Sequence, residues 1–473
     1  MGNRHLVWSV AKRRDLSIVH YTKFKDFSIT LHFARNDGKP RQTYPSRPNT
    51  NQTMHKNAIV SFKGTQNIQA EIQLTGSKSE CNRALIIKSL SKNLVKVENL
   101  SNAADTVTLN AILSDLDTAE TDSNSVKTVD VGPAGTAMRF LSAYLSAKNG
   151  NFLLTGTERM KQRPIGILAN ALKEIGADIS YAEQDGFPPL AINGPLAQAS
   201  SHIKIKGDIS SQYISALLML APTLPQGLTL EIVGELTSKP YVEMTLAMLV
   251  ECGIAHEWNG NLITIQHQEF KSSTLIVEPD WSAASYWYSI VALAKEAQIS
   301  LPHLREKSLQ GDSQIQQIME IFGLSTTKTD NGIAFKKDQA IKDTDKVLDL
   351  KTCPDLAQTI VVVAAALGIN MAFTGLETLK IKETDRVAAL QNELAKIGVK
   401  LSEDNLVYTL DCSELHFPKK VSIATYEDHR MAMAFAPLAL LIEELEIEDY
   451  NVVEKSYPYF WEDLKKVGFE VKS

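Results

Sequence analysis

The sequence predicts an α/β protein assembled from six copies of one small unit, grouped as two domains of three. Three observations carry that expectation. From Met54 onward a phrase recurs, in which an amphipathic helical stretch ends in an apolar residue, then a glycine, then the apolar start of a strand. Its glycines, Gly176, Gly253, Gly323, Gly398 and Gly468, follow one another at 77, 70, 75 and 70 residues. Short apolar runs such as Phe152-Leu153-Leu154 and Leu228 to Val233 lie between helical stretches, the alternation expected of strands and helices in α/β units. Glycine suits the left-handed position that ends a helix, where a Cβ is penalised. Six units of about 70 residues nearly account for residues 54–473.

The elements follow in order. Residues 1–53 hold ten Lys/Arg and three Asp, whereas the rest of the chain holds 39 basic and 52 acidic residues. This stretch is polar and without periodicity, and it closes in the turn-rich Tyr44 to Asn49. A targeting segment and a basic nucleic-acid arm are competing readings. It has no apolar signal core, and Met54 opens domain-like sequence at once, so it reads as a basic, poorly ordered extension outside the working fold. Gly76 to Arg83 then leads into an apolar helix, and Ile112 to Asp117 is a degenerate copy of the phrase without its glycine. Gly132 to Arg139 opens the next helix, and Ser210 to Tyr213 and Ser238 to Tyr241 open two more. In the second half, Pro354-Asp355, Lys382 to Arg386 and Glu427 to Arg430 each precede an apolar helix, and Lys455 to Pro458 lies near the end.

These helix starts carry the chemistry. Free backbone N–H groups and the positive end of the helix dipole favour phosphate and carboxylate there. Ser, Thr and Asp cap most helices, so any one of these sites alone reads as a cap. Their joint occurrence with Lys78, Arg83, Lys382, Arg386 and Arg430 points instead to a cleft lined for anions. Other classes are excluded. There is no apolar run of about 18 residues for a membrane span, and the stretch Thr359 to Leu367 fits a buried core helix. Cys81, Cys252, Cys353 and Cys412 form no C-x-x-C pair, which argues for a reducing compartment and against a zinc site. Neither the dinucleotide nor the P-loop glycine pattern is present, and no Ser/His/Asp triad or metal spacing is evident.

From Met54 to Ser473, about nine tenths of the chain, the sequence strongly resembles the 5-enolpyruvylshikimate-3-phosphate synthase family. The motifs Leu74 to Leu85, Gly132 to Arg139, Arg159 to Leu168, Ser210 to Leu218, Ser238 to Tyr241, Lys382 to Arg386 and Asp428 to Met433 carry the likeness in order. The resemblance implies a two-domain enolpyruvyl-transferase fold, with six βαβαββ repeats arranged three per domain around pseudo-threefold axes. It places residues 76–279 in the first domain and residues 54–75 with 280–473 in the second, with the active site between them. It implies transfer of the enolpyruvyl group of phosphoenolpyruvate to the 5-hydroxyl of shikimate 3-phosphate, with no metal or organic cofactor. No nucleic acid or membrane is implied, and a cytoplasmic monomer is the family expectation.

By motif match, Lys78, Gly135, Arg163, Gln212, Arg386, Arg430 and Lys455 would surround phosphoenolpyruvate. Lys78, Ser79, Arg83, Ser210, Ser211, Gln212, Ser238, Asp355 and Lys382 would hold shikimate 3-phosphate, with Tyr241 packed beside it. Asp355 would be the base and Glu383 the acid, with Lys78 assisting. Pro133 stands where the family has asparagine, Phe140 where it has proline, and Ala104 where aspartate is common. Thr378 takes the place of an asparagine that often contacts shikimate 3-phosphate. The retained Gly135 points to sensitivity to glyphosate, which occupies that subsite in the family. UDP-N-acetylglucosamine enolpyruvyl transferase, which shares fold and donor, would show Lys-Asn at Lys78-Ser79 and a cysteine within Thr157 to Lys161; both are missing. A binding protein that kept the scaffold is the other alternative, against which the intact Lys78, Asp355, Glu383, Arg386 and Lys455 speak.

Overall fold

The computed structural model describes residues 56–65, 67–118, 125–208 and 210–473. The basic stretch 1–53, expected to be poorly ordered, lies outside the described residues. One complete unit runs through strand Val126–Asp130, helix Gly135–Ala147, strand Gly150–Thr155, helix Gly166–Ile175 and strands Asp178–Tyr181 and Leu190–Gly194. The first two strands are parallel; the second pairs antiparallel with the fourth, which pairs antiparallel with the third. A parallel pair needs a crossover to bring the chain back to the same end of the sheet, and the helix supplies it. The units from His202 to Ile265 and from Val347 to Asp411 repeat this strand order.

Two further units are completed from far away in sequence. Strand Asn67–Glu71 runs parallel to Glu296–Pro302, as the first strand of the unit that continues through Trp281–Leu293. Strand Ala58–Phe62 lies between Glu444–Ile447 and Phe469–Lys472 and closes the last unit. The sixth unit is shorter than the six equal βαβαββ repeats expected. Ser273–Ile276 pairs in parallel with Val95–Glu98, the helices are Lys78–Leu90 and Ala104–Thr118, and the sheet has two strands among the described residues. This is the unit with the degenerate phrase, where Asp117 stands in place of the glycine that turns the other helices into a strand.

The five repeat glycines all have positive φ, from 75° at Gly398 to 118° at Gly176. At Gly176 a Cβ would also stand 2.0 Å from the Ala197 carbonyl oxygen, so both backbone angle and space demand glycine.

The helices bury more than one face, because they pack on one another while the sheets cover them. Gly135–Ala147 packs on Ser211–Leu220, which packs on Lys239–Glu251, and Lys78–Leu90 touches all three. Helix Ala357–Ala366, which contains most of the long apolar run, is buried at all ten positions. No helix among the described residues is long and apolar enough to cross a membrane. The apolar side chains form two separate clusters. One spans Cys81 to Val277, and the other joins Val60 to Leu74 with Trp281 to Phe469. The chain passes between them twice, and the two crossings lie side by side. Gly76 bridges to Pro279, Ser77 N–H donates to the Glu278 carbonyl at 2.8 Å, and Asp280 N–H donates to the Thr75 carbonyl at 3.1 Å.

Replacing Gly176 with alanine should destabilise the protein by about 1–3 kcal/mol, the range for a non-glycine residue held at left-handed angles. A lowered midpoint of chemical unfolding checks this, and an unchanged midpoint would contradict the repeat-ending role.

Candidate active site

Helix starts from both clusters converge on one cleft. From the first come Lys78, Ser79 and Arg83, then Gly135, Thr136 and Arg139, then Arg163, Ser210 to Tyr213, Ser238 and Tyr241. From the second come Asp355, Thr378, Lys382, Glu383, Arg386, His429 and Arg430. Every sequence-predicted site residue lines this cleft except Lys455, whose Nζ lies 3.1 Å from Glu383 Oε1. Seven Lys/Arg side chains and four carboxylates line it, a cationic excess that favours anionic ligands.

Arg386 is the hub. It is 2% exposed, and its fork reaches Asp428 Oδ2 at 2.7 Å, Glu383 Oε2 at 3.0 Å and Asp355 Oδ1 at 3.2 Å. Asp428 is fully buried and also caps its own helix, accepting from Arg430 N–H at 2.9 Å. Asp355 lies in a short 3₁₀ turn, Pro354–Leu356, ahead of the apolar helix. It is no plain helix cap: its Oδ2 accepts from Arg430 Nη2 at 2.9 Å and from the Tyr241 hydroxyl at 3.3 Å, and Lys382 Nζ lies 3.8 Å from Oδ1. Burial alone would raise the Asp355 carboxyl, but Arg430, Lys382, Arg386 and Lys78 outweigh it and hold the group far below the usual carboxylate range. Glu383 follows the same logic. Burial raises its carboxyl, while Lys455, Arg386 and Arg163 drive it well below its ordinary value. Arg163 Nη1 lies 3.8 Å from Glu383 Oε1, and Arg159 Nε donates to the Glu383 carbonyl at 3.1 Å.

The other cations have fewer charged partners. Lys78 lies 3.4 Å from Asp105, and its backbone N–H donates to Asp280 at 3.0 Å. Arg83 is buried and donates to the hydroxyls of Thr245 at 2.7 Å and Ser215 at 3.0 Å, and to the Ser79 carbonyl at 2.9 Å. Burial lowers its pKa to about 10. Arg139 donates to the carbonyls of Gly135 and Pro164, and burial lowers it likewise to about 10, with Arg163 adding to the effect. A Cβ on Gly135 would stand 2.6 Å from Arg163 Nη1, so glycine here makes room for that guanidinium. Gln212 donates to Thr136 Oγ1 at 3.1 Å, and Ser238 holds a left-handed φ of 53° at the start of its helix.

Sequence reasoning did not assign Asp105, Arg139, Tyr213 or His429 to the site. Arg139 could have been found, since it ends the Gly132 to Arg139 motif, four positions after Gly135, whereas no motif residue lies near Asp105 in sequence. His429 is flanked by two motif residues and is buried, and burial together with Lys78 and Arg430 pushes its pKa far down, leaving it neutral. No group of three or more His, Cys, Asp or Glu is placed to hold a metal ion among the described residues. No cysteine lines the cleft.

Solved enolpyruvyl transferases share this fold. The structure superposes on EPSP synthase from Acinetobacter baumannii with TM-score 0.71 at 19% identity, over 88% of this chain and 100% of that one. It likewise matches the enolpyruvyl transferase NikO from Streptomyces tendae with TM-score 0.67 at 14% identity, over 88% of this chain and 99% of that one. Residues 62–464 match the family EPSP synthase (3-phosphoshikimate 1-carboxyvinyltransferase). The 3-phosphoshikimate 1-carboxyvinyltransferase of Bacteroides fragilis is 46% identical over 408 residues, covering 86% of this chain and 97% of its own length. That of Vibrio cholerae is 35% identical over 423 residues, covering 85% and 97%. The chain belongs to the EPSP synthase family.

All four cysteines are buried, and burial raises the Cys252 thiol and pushes Cys81 up to about 12 and Cys412 to about 11. The thiolate is the reactive form, so the folded protein should resist a disulfide reagent at pH 8 and show four thiols once unfolded. Rapid labelling of the folded chain would contradict this.

Proposed function

We propose that the chain transfers the enolpyruvyl group of phosphoenolpyruvate to the 5-hydroxyl of shikimate 3-phosphate, releasing phosphate, as a step of the shikimate pathway towards the aromatic amino acids. The observation that supports it best is a pair of carboxylates in one cleft, Asp355 and Glu383, joined by a single arginine and surrounded by cations, as a base and an acid would need. Both substrates carry a phosphate and a carboxylate, which matches the cationic excess. Shikimate 3-phosphate would take the side of Ser79, Arg83, Ser210, Ser211, Ser238, Tyr241 and Lys382. Phosphoenolpyruvate would take the side of Gly135, Arg163, Arg386, Arg430 and Lys455, with Lys78 and Gln212 between the two.

The electrostatics support an order of events. Asp355 is held ionised and can take the hydroxyl proton. Glu383 is also held ionised, and an ionised acid has no proton to give. The negative charges of phosphoenolpyruvate would offset Lys455, Arg386 and Arg163, so Glu383 gains its proton only with the donor in place. Protonation of the methylene carbon is then tied to the presence of phosphoenolpyruvate. Arg386 and Arg163 already face the cleft and would stabilise the tetrahedral adduct without reorganising. Four buried, unpaired thiols support a reducing compartment, the cytoplasm.

Phosphate release from phosphoenolpyruvate should depend on shikimate 3-phosphate and not on UDP-N-acetylglucosamine. Asp355→Asn and Glu383→Gln should each lower kcat by about 10²–10⁴ with KM nearly unchanged. Silence with both acceptors from a folded protein that still binds shikimate 3-phosphate would favour the non-catalytic binding protein.

The two crossings at Gly76 and Pro279 would be hinges between a domain of residues 76–279 and one of residues 54–75 with 280–473. Ligands for shikimate 3-phosphate come from both, so its binding would draw them together. Small-angle scattering should show compaction on adding it, and an unchanged radius of gyration would sink the closure.

A further inference from the structure

Asp312 sits in the turn Gly311–Gln314, outside every motif considered above, and is 3% exposed. Its Oδ2 accepts from the Ser282 hydroxyl, and its Oδ1 is buried with no hydrogen-bond partner among the described residues. Ser282 Oγ in turn accepts from Arg430 Nη2 at 3.3 Å, and the same Nη2 donates to Asp355 Oδ2 at 2.9 Å. Arg430 Nη1 is tied to the Tyr286 hydroxyl at 3.3 Å. A serine hydroxyl has one proton. Given to Asp312, that proton leaves the oxygen lone pairs for the guanidinium; without an acceptor at 312, the hydroxyl is free to turn its proton against Arg430.

We propose that Asp312 is a positioning residue for the transfer reaction, which acts through Ser282 to fix the Arg430 guanidinium between the base Asp355 and the phosphoenolpyruvate subsite. The inference rests on the catalytic assignment of Asp355. The charged and titratable groups facing Asp312 are Asp280, Asp355, Cys353, Arg430 and Tyr241, from four packed segments. Burial first, then the charge of Asp355, raises the Asp312 carboxyl to about 7, with Arg430 opposing. Asp312 is therefore acceptor-only above that pH. Below it the group carries a proton of its own and competes with the serine as donor. The link to Arg430 weakens as pH falls through about 7, a range in which Asp355 stays ionised.

The test measures steady-state kinetics and pH profiles for Asp312→Ala, Asp312→Asn, Ser282→Ala and the double alanine variant, with Asp355→Asn alongside. Asp312→Ala and Ser282→Ala should each lower kcat/KM for phosphoenolpyruvate by about tenfold, as expected for one lost hydrogen bond to a charged network. The double variant should be no worse than Asp312→Ala, because both act through one link. Asp312→Asn carries an acceptor oxygen and donor hydrogens, as the protonated acid does, and should run about threefold below the parent at pH 8. Its profile should lack the decline near pH 7 expected of the parent, a difference that the substrates' own phosphates, common to both proteins, do not produce. Should Asp312→Ala fail to fold, Ser282→Ala reads the same link. Unchanged kinetics in Ser282→Ala and superposable profiles for Asp312→Asn and the parent, with Asp355→Asn inactive, would overturn the proposal alone. A fully active Asp355→Asn would overturn the catalytic reading, and this inference with it.

Discussion

The cleft depends on one arginine that satisfies three carboxylates at once. Arg386 pairs with Asp428, Glu383 and Asp355 from a position closed to water, so none of the three is an isolated buried charge. Removing Arg386 would leave the buried Asp428 without its cation, at a cost of about 3–5 kcal/mol. That cost explains the local architecture. Asp428 must be fixed to hold Arg386, and it is fixed by capping the helix that carries Arg430. Arg430 then reaches back to Asp355, so Asp355, Glu383, Asp428, Arg386 and Arg430 form one closed hydrogen-bonded set. Few of these groups can move independently, which suits chemistry in which charge develops and disappears within a small volume.

The repeat explains how the charges come to face one another. Each unit places a helix start at the same end of its sheet, and packing the helices inside the sheets directs those starts to a shared opening. The polar residues sit at helix starts because only there can the backbone share the cost of holding an anion. The structure also shows why the two assemblies are tied. Strands Ala58–Phe62 and Asn67–Glu71 complete sheets whose other strands come after residue 280, so the chain is committed to both crossings before the second group can close. The crossings are antiparallel and share hydrogen bonds, so neither can shift alone.

Much of this was legible in the sequence because it repeats. The five glycines announce helix ends that only glycine permits, and all five have the positive φ that their spacing implied. The motif residues with Lys or Arg at helix starts came together as a cleft for the same reason. What was hidden depended on contacts between distant segments. Nothing local marks Asp105 as the partner of Lys78, or Ala58–Phe62 as the last strand of the final sheet. Asp312 was invisible because its role passes through Ser282 and Arg430, three segments that meet only in the folded chain. The shortened sixth unit was half legible, since a missing glycine signalled a departure without saying that the sheet would have two strands.

One departure from the family pattern near Gly135, Phe140, has a physical account. Pro133 is exposed, whereas Phe140 is fully buried with its ring centroid 5.4 Å from the Arg83 guanidinium carbon. Tyr241 approaches the same carbon at 5.6 Å, so Arg83 lies between two aromatic rings. Its hydrogen bonds go to two hydroxyls and a carbonyl, and none to a carboxylate. Aromatic faces attract a cation without carrying a charge that could neutralise it. A carboxylate in place of the phenylalanine ring would satisfy Arg83 internally and remove its pull on a ligand; proline would give it no such face. Phe140 therefore departs from the family residue while keeping Arg83 positively charged, oriented and unneutralised beside a cleft that needs an anion to complete it.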